Sequence, residues 1–429
     1  MRYSPGKFMK KSITWALNLL GVTMFCVILS GCKKDPTDFL LNSLITGTTD
    51  IHVSSPPVIM SASPIIVASF NSNVDSKTAD SSNITLIRDY DNYVAGLIIT
   101  SQGTTITITP AEALGPGSLY RLILKAGLKS EHGLAFTEAS FSFTTPGTFV
   151  PTGAIAYWNF EDNANDQIGN KNPTAYGIVD IAYTESRNTA AGKAASFNGT
   201  TSIIEIPKGD ILMNSPNFTL SFWVKTISRG LVDESLNPAG FFVIGLGAFF
   251  GFEFEISADF GFCNFTASYD TGGGAISEDL TFLGDGKNKD NGGWQGWEFC
   301  RNLTGSGGVA ALLKDKWAQV VYMFEATSKR GILYINGEKM KVINFNLWPE
   351  GNDRRKVTGM KYSGNTPETV NELAFGFIQS RAGTFYDSNP KYGYDFPGAN
   401  HFQGQLDDVR IFHEVLTETE IQLMYNSEK

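Results

Sequence analysis

Cysteine is scarce, with four among 429 residues, and nowhere do cysteine and histidine take up the spacing of a zinc site. Charge is low as well. Charged residues make up 18% of the chain, and the net charge of −9 is spread without blocks of one sign. That excludes the basic patch a nucleic-acid partner requires. Beyond Leu29 no stretch is apolar for long enough to span a membrane. A P-loop and a Ser-His-Asp arrangement are also missing. What abounds is glycine, at 44, and phenylalanine, at 31. Many turns and large cores describe an all-β protein rather than a helical bundle. The length exceeds that of one ordinary sandwich, so two domains are expected.

The first residues form a basic leader of Arg2, Lys7, Lys10 and Lys11, followed by an apolar run from Ile13 to Leu29. A basic segment, an apolar segment and a small-residue cleavage site mark a secretory signal. Asn18 and Thr23 interrupt the run, which is marginal for a retained helix. Its close, Leu29-Ser30-Gly31-Cys32, resembles the lipobox of bacterial lipoproteins. The resemblance implies loss of residues 1–31, a diacylglyceryl group on the Cys32 sulfur and an acylated new N-terminus. Each buried methylene adds about 0.8 kcal/mol, so several chains make a stable anchor. No aspartate directly follows Cys32, so inner-membrane retention is not suggested and the outer membrane is expected, with the face left open. Residues 32–53 read as a polar tether, and membrane contact is expected only through the lipid. Cys26 leaves with the leader. The remaining pair, Cys263 and Cys300, suits a disulfide in an exported domain, worth about 4 kcal/mol on a chain-entropy model. Two separate buried thiols are the alternative.

Residues 54–147 carry short β-rich runs punctuated by turns. Ile65 to Phe70 is one, Thr104 to Thr109 alternates as a half-buried strand should, and Ser140 to Thr144 alternates again. The stretch ITITPAEALGPGSLYRLILKAGLKSEHGLAFTEASFSFTT, with Phe70 and Val74-Asp75 before it, resembles the bacterial Ig-like domains of surface proteins. The resemblance implies a sandwich serving as a spacer, with Tyr120 packed at a corner. His52 and His132 stand apart from any acidic or cysteine partner in sequence and read as solvated.

A Pro/Gly linker leads to the second unit, residues 152–429. Ala195 to Gly199 and Ser202 to Pro207 predict a hairpin, Asn336-Gly337 predicts another, and Thr417 with Glu420 predicts a capping box opening a short helix to about Tyr425. The motifs YWNFEDNANDQIGN, AASFNGTTSIIEIP, FTLSFWVKT, WAQVVYMF, LYINGEKM and GQLDDVRIFHEVLTETEI occur in that order. Together they resemble laminin-G-like, concanavalin A-like jelly rolls. The expected fold class is therefore an Ig-like β-sandwich followed by a larger jelly-roll sandwich with long insertions, at Gly240–Gly308 and Asn344–Asn400. Trp158, Trp223 and Trp317 lie in strand motifs and read as packing.

That family includes binding modules and glycoside hydrolases. Its laminarinase-like members carry Glu-x-Asp-x-x-Glu on one strand face, and retaining hydrolysis wants two carboxyl groups about 5–5.5 Å apart. Here Glu253 and Glu255 share a face, but the intervening aspartate is absent, and solvent-facing glutamates opposite Phe252, Phe254 and Ile256 explain the alternation. Binding is better supplied. Sugars present flat C–H faces that indole and phenol rings cover, and the insertions offer Trp294, Trp297, Trp348, Tyr392 and Tyr394. Packing of the loops onto their own sandwich uses such rings equally well. The resemblance also implies calcium, loosely at Asp166 and Asp407, although an aspartate in a strand also accepts backbone N–H bonds. The expected partner is a glycan or another surface macromolecule. A protein-binding assembly module and a diverged hydrolase are the alternatives.

Overall fold

The computed structural model describes residues 37–52, 57–228, 230, 232 and 238–429. The apolar run and Cys32 lie outside the described residues. Among the described residues no helix is long and apolar enough to cross a membrane, and the strands form four sheets.

The first unit is a sandwich of two such sheets. One runs Thr49–Asp50, Leu41–Thr46, Ile66–Phe70, Thr105–Pro110, Leu97–Gln102, and the other Val58–Ile59, Ala139–Thr144, Leu119–Leu124, Ile84–Arg88, Val94–Ala95. Alternation explains the pairing. In Thr105–Pro110 and Leu119–Leu124 every second residue is buried, and the buried set joins Ile106, Ile108, Leu122 and Leu124 into one core. The phenol oxygen of Tyr120 accepts a bond from the Gly115 amide at 2.9 Å, and the ring stacks on Phe143. The stretch expected as a tether, 32–53, instead contains a strand of this sandwich, since Leu41–Thr46 pairs with Ile66–Phe70.

The second unit packs two larger sheets face to face. The sheet called front here runs Ile178–Val179, Ile203–Ile206, Leu373–Phe375, Phe241–Leu246, Phe252–Ile256, Cys263–Asp270, Ala275–Phe282. The back sheet runs Ala182–Glu185, Lys193–Asn198, Gln403–Phe412, Asn217–Thr226, Trp317–Glu325, Arg330–Ile335, Glu338–Asn344, Trp297–Cys300. Phe218, Leu220 and Phe222 from the back and Phe252, Phe254 and Phe265 from the front meet between them. Each such ring contributes about 1.5–3 kcal/mol on burial. Outside the back sheet, Ile421 and Met424 of the C-terminal helix Glu418–Glu428 cover Val321, Met323 and Phe412.

Several local expectations hold. Thr417 and Glu420 close a capping box, and Asn336 and Gly337 both have positive φ, as the tight hairpin turn between Arg330–Ile335 and Glu338–Asn344 requires. The hairpin expected at 195–207 is a sheet switch instead. Lys193–Asn198 pairs in the back sheet and Ile203–Ile206 in the front. Asn198 makes the corner, its Oδ1 accepting from the amides of Thr200, Thr201 and Ser202 at 2.9–3.0 Å. The expected disulfide is absent. Cys263 sits in the front sheet and Cys300 in the back, and both are free thiols. Burial pushes the Cys263 thiol well up, and Cys300 Sγ points to Asp285 Oδ1 at 3.6 Å.

Candidate functional site

The outer face of the front sheet has a row set by strand register. Glu205, Ala374, Gly245, Glu253, Thr266 and Asp279 stand opposite one another across six strands. Two small residues mark its middle, where the segment after Phe375 crosses the sheet. A Cβ on Gly245 would stand 2.2 Å from the Ile378 carbonyl oxygen, so only glycine admits that crossing. The segment then packs Tyr386, Tyr392 and Tyr394 against Phe242, Phe377 and Ile378. The crossing divides the face. On one side Glu205 binds Arg381 through both oxygens.

On the other side lies a polar field. Asn264 donates to Thr266 at 2.8 Å, Thr266 to Asp279 Oδ1 at 2.7 Å, and Thr281 to Asn264 at 3.0 Å. Glu253, expected to face solvent, is only 9% exposed, and its Oε2 is buried without a hydrogen-bond partner. Burial, then the neighbouring charges of Glu255 and Asp279, push its carboxyl up to about 8. Glu255 is pushed up by burial too, against the opposing charge of Lys391. The Tyr386 and Tyr392 phenols, raised chiefly by burial, feel both glutamates.

Past Asp279 the field opens into a cleft of about 580 Å³ lined by Ser277, Asp279, Thr281, Trp294, Trp297 and Arg354, among others. It lies at the edge of the sandwich, where the chain passes from Ala275–Phe282 of one sheet to Trp297–Cys300 of the other. The connecting loop is built to hold its rings. The Gly293 amide donates to Asn288 O at 2.7 Å, the Trp297 amide to Trp294 O at 2.9 Å, and Gln295 Nε2 to Leu347 O at 2.7 Å. Trp294 remains 54% exposed. Trp297 is half-buried, with Lys341 Nζ 3.2 Å from its ring centroid, and its Nε1 is buried without a partner. Arg354, also lining the cleft, binds Glu278.

The five expected rings therefore separate. Trp294 and Trp297 share the cleft. Trp348 is turned inward, 5% exposed, stacked on Phe345 and lying against Gly296, which corrects its reading as a ligand-facing ring. Tyr392 is half-buried against Phe242, and the Tyr394 hydroxyl donates to Thr201 O, so both serve first to fasten the crossing segment. The calcium pair does not converge either. Asp166 accepts four backbone amides, from Tyr157, Ile168, Gly169 and Lys171. Asp407 accepts from Ser186, Arg187 and the Asp408 amide. Among the described residues no three acidic, cysteine or histidine side chains group as metal ligands. Sequence reasoning missed Asp279, Thr281 and Arg354. The strict alternation of Ser277, Asp279 and Thr281 with buried Glu278, Leu280 and Phe282 was the available signal.

The family description for bacterial Ig-like domains matches residues 47–145, less than half of the chain. No curated protein matches. Among solved structures, the receptor-binding domain of botulinum neurotoxin type G is 14% identical, over 65% of this chain and 52% of that one, with a TM-score of 0.37. The binding domain of Paraclostridial Mosquitocidal Protein 1 is 15% identical over 64% and 52%, with a TM-score of 0.41. This chain thus spans about half the length of both. Domain 4 of an extracellular arabinanase from Geobacillus stearothermophilus, in complex with arabinotriose, is 18% identical over 64% and 98%, with a TM-score of 0.35. Likenesses at this level leave function to be argued from the site.

Proposed function

We propose that the chain is an outer-membrane lipoprotein anchored through Cys32, in which an Ig-like spacer carries a concanavalin A-like jelly roll that binds glycan in the cleft beside Asp279. The observation that carries the reading is the pairing of an exposed indole, Trp294, with hydroxyl and carboxylate side chains from Ala275–Phe282 along one cleft wall. Ring and polar wall together match the two surfaces of a sugar. Affinity-gel electrophoresis against a panel of plant and bacterial polysaccharides tests it. At least one polysaccharide retards the protein, and Trp294→Ala abolishes the retardation. A panel without effect, alongside a stable protein partner recovered from the envelope, sinks the reading in favour of an assembly module. Anchoring is tested by labelling with a radioactive fatty acid, which Cys32→Ser prevents.

Hydrolysis is a second reading, favoured by one feature: burial, then the nearby Glu255 and Asp279 carboxylates, push the Glu253 carboxyl up to about 8, in the range that suits a general acid. Release of reducing sugar that vanishes in Glu253→Gln supports it. Release that persists in the variant removes it.

A further inference from the structure

The charges around the cleft bear on which glycans it accepts. Four acidic side chains belong to the polar field and the cleft wall: Glu253, Glu255, Glu278 and Asp279. Two cations face them. Arg354 is consumed by Glu278, and Lys391 lies nearest in its effect to Glu255. Lys341, also near, is fully buried behind the Trp297 ring. Asp279 is therefore left exposed at the cleft with a hydroxyl, from Thr266, but no ion-pair partner among the described residues.

An independent observation shows how strongly the balance leans. Glu253 stands two strands from Asp279 in the same row, about 10 Å away at ordinary strand spacing. It is nine-tenths buried, faces this field, and has an oxygen with no partner. Burial, then the charges of Glu255 and Asp279, push its carboxyl up to about 8, and among the described residues no cation pairs with it. A carboxylate or sulfate arriving on a ligand meets the same opposition in the half-dry cleft, whereas a hydroxyl donor or an ammonium relieves it.

Resting on the glycan-binding reading, we infer that the cleft admits uncharged and amino-substituted glycans and rejects acidic ones, with Asp279 as the residue that sets this selection. The Asp279 carboxylate, whose Oδ1 is already bonded to Thr266, accepts hydroxyl or ammonium donors from the sugar through its other oxygen while the Trp294 ring covers an apolar face. Exposed ion pairs are worth about 0.2–1 kcal/mol, so the charge of Asp279 changes affinity for a cationic glycan by up to roughly fivefold.

The test uses the full-length protein on affinity gels containing laminarin, hydroxyethylcellulose, chitosan oligomers or polygalacturonate, at low and at raised salt. Wild type is retarded by at least one of the first three and not by polygalacturonate. Asp279→Asn, which keeps an acceptor oxygen and removes the charge, weakens chitosan retardation up to roughly fivefold at low salt and weakens retardation by uncharged glycans less, so that the ratio between the two falls. Asp279→Lys gains retardation on polygalacturonate. Circular dichroism of both variants confirms the fold at this exposed position. Retardation of wild type by polygalacturonate as strong as by the uncharged polymers overturns the selection while leaving glycan binding standing. An unchanged ranking in Asp279→Lys does the same. Absence of retardation on every gel overturns glycan binding itself, and the selection with it.

Discussion

Trp294 and Trp348 are the same residue type in neighbouring loops, and their surroundings give them opposite work. Trp294 ends a turn with more than half its surface in water, while Trp348 fills the space above a glycine. Trp294→Ala is expected to leave the melting temperature within the range of surface changes, about ±0.5 kcal/mol, and to abolish glycan retardation. Trp348→Ala is expected to cost about 3–5 kcal/mol, as loss of a buried indole does. Thermal denaturation with gel retardation on both proteins separates the two roles, and equal melting points would falsify the assignment. Glu253 gives a prediction of another kind. An unfolded glutamate ionises near 4.5, and the folded one keeps its proton up to about 8. Between these values the folded state holds more protons, so stability falls as pH rises through that window and levels off above it. In urea titrations at about pH 5 and about pH 8, Glu253→Gln should lose less stability than wild type between the two. Glu255 and Glu278, also raised by burial, keep part of the dependence. Equal losses would refute the buried, uncompensated state of this carboxyl. None of that environment was legible in sequence. Alternation correctly put Glu253 opposite Phe252 and Phe254, but the cover over it comes from a segment more than a hundred residues later.

Elements defined by their own residues could be read directly. A capping box, an Asn-Gly turn and strands with every second residue buried are local devices, and all three appear where the sequence places them. Elements whose partner is chosen by the sandwich could not. The run at 195–207 has two apolar strands and a turn, which describes a hairpin and a sheet switch equally well, and only the placement of Gln403–Phe412 decides. The cysteines fail for the same reason, since two strands near in sequence lie in opposite sheets. The cleft loop is an element of this second kind. Its aromatic, glycine-rich character was visible, but its anchor on Trp348 was not. A Cβ at Gly296 would fall 1.7 Å from the Trp348 ring, a contact neither backbone nor buried indole can relieve cheaply. Gly296→Ala should therefore displace the loop, lowering both stability, by about 1–3 kcal/mol, and glycan retardation. Gly292→Ala serves as the comparison for backbone strain alone, since Gly292 has positive φ and nothing near its added Cβ. If Gly296→Ala behaves no worse than Gly292→Ala, the Trp348 anchor is not what holds the ring in place.

At the scale of the whole molecule, the two sandwiches meet on the side away from the cleft. Phe149, in the linker, buries its ring among Leu416, Ile421 and Met424, meets Tyr90 of the Ig-like unit edge-on at 4.9 Å, and its amide donates to Ser427 at 2.8 Å. Beneath the end of the same helix, Glu428 joins Arg410 and the Trp223 indole, and Arg410 and Arg187 bind Asp408. Removing one partner of such a buried set leaves a charge unpaired, so Glu428→Ala should destabilise the second unit by about 3–5 kcal/mol. Phe149→Ala acts differently, because its ring is buried in the outer cluster of the second unit and also meets Tyr90 of the first. Calorimetry should then show the two units unfolding further apart in temperature than in wild type, with X-ray scattering reporting a wider spread of sizes. Glycan retardation should not change. The helix and Phe149 cover the outer face of the back sheet, whereas Glu253, Asp279 and Trp294 lie on the outer face and edge of the front, and the whole Phe-rich core stands between them. Loss of retardation in Phe149→Ala would show instead that the cleft depends on how the two units are docked.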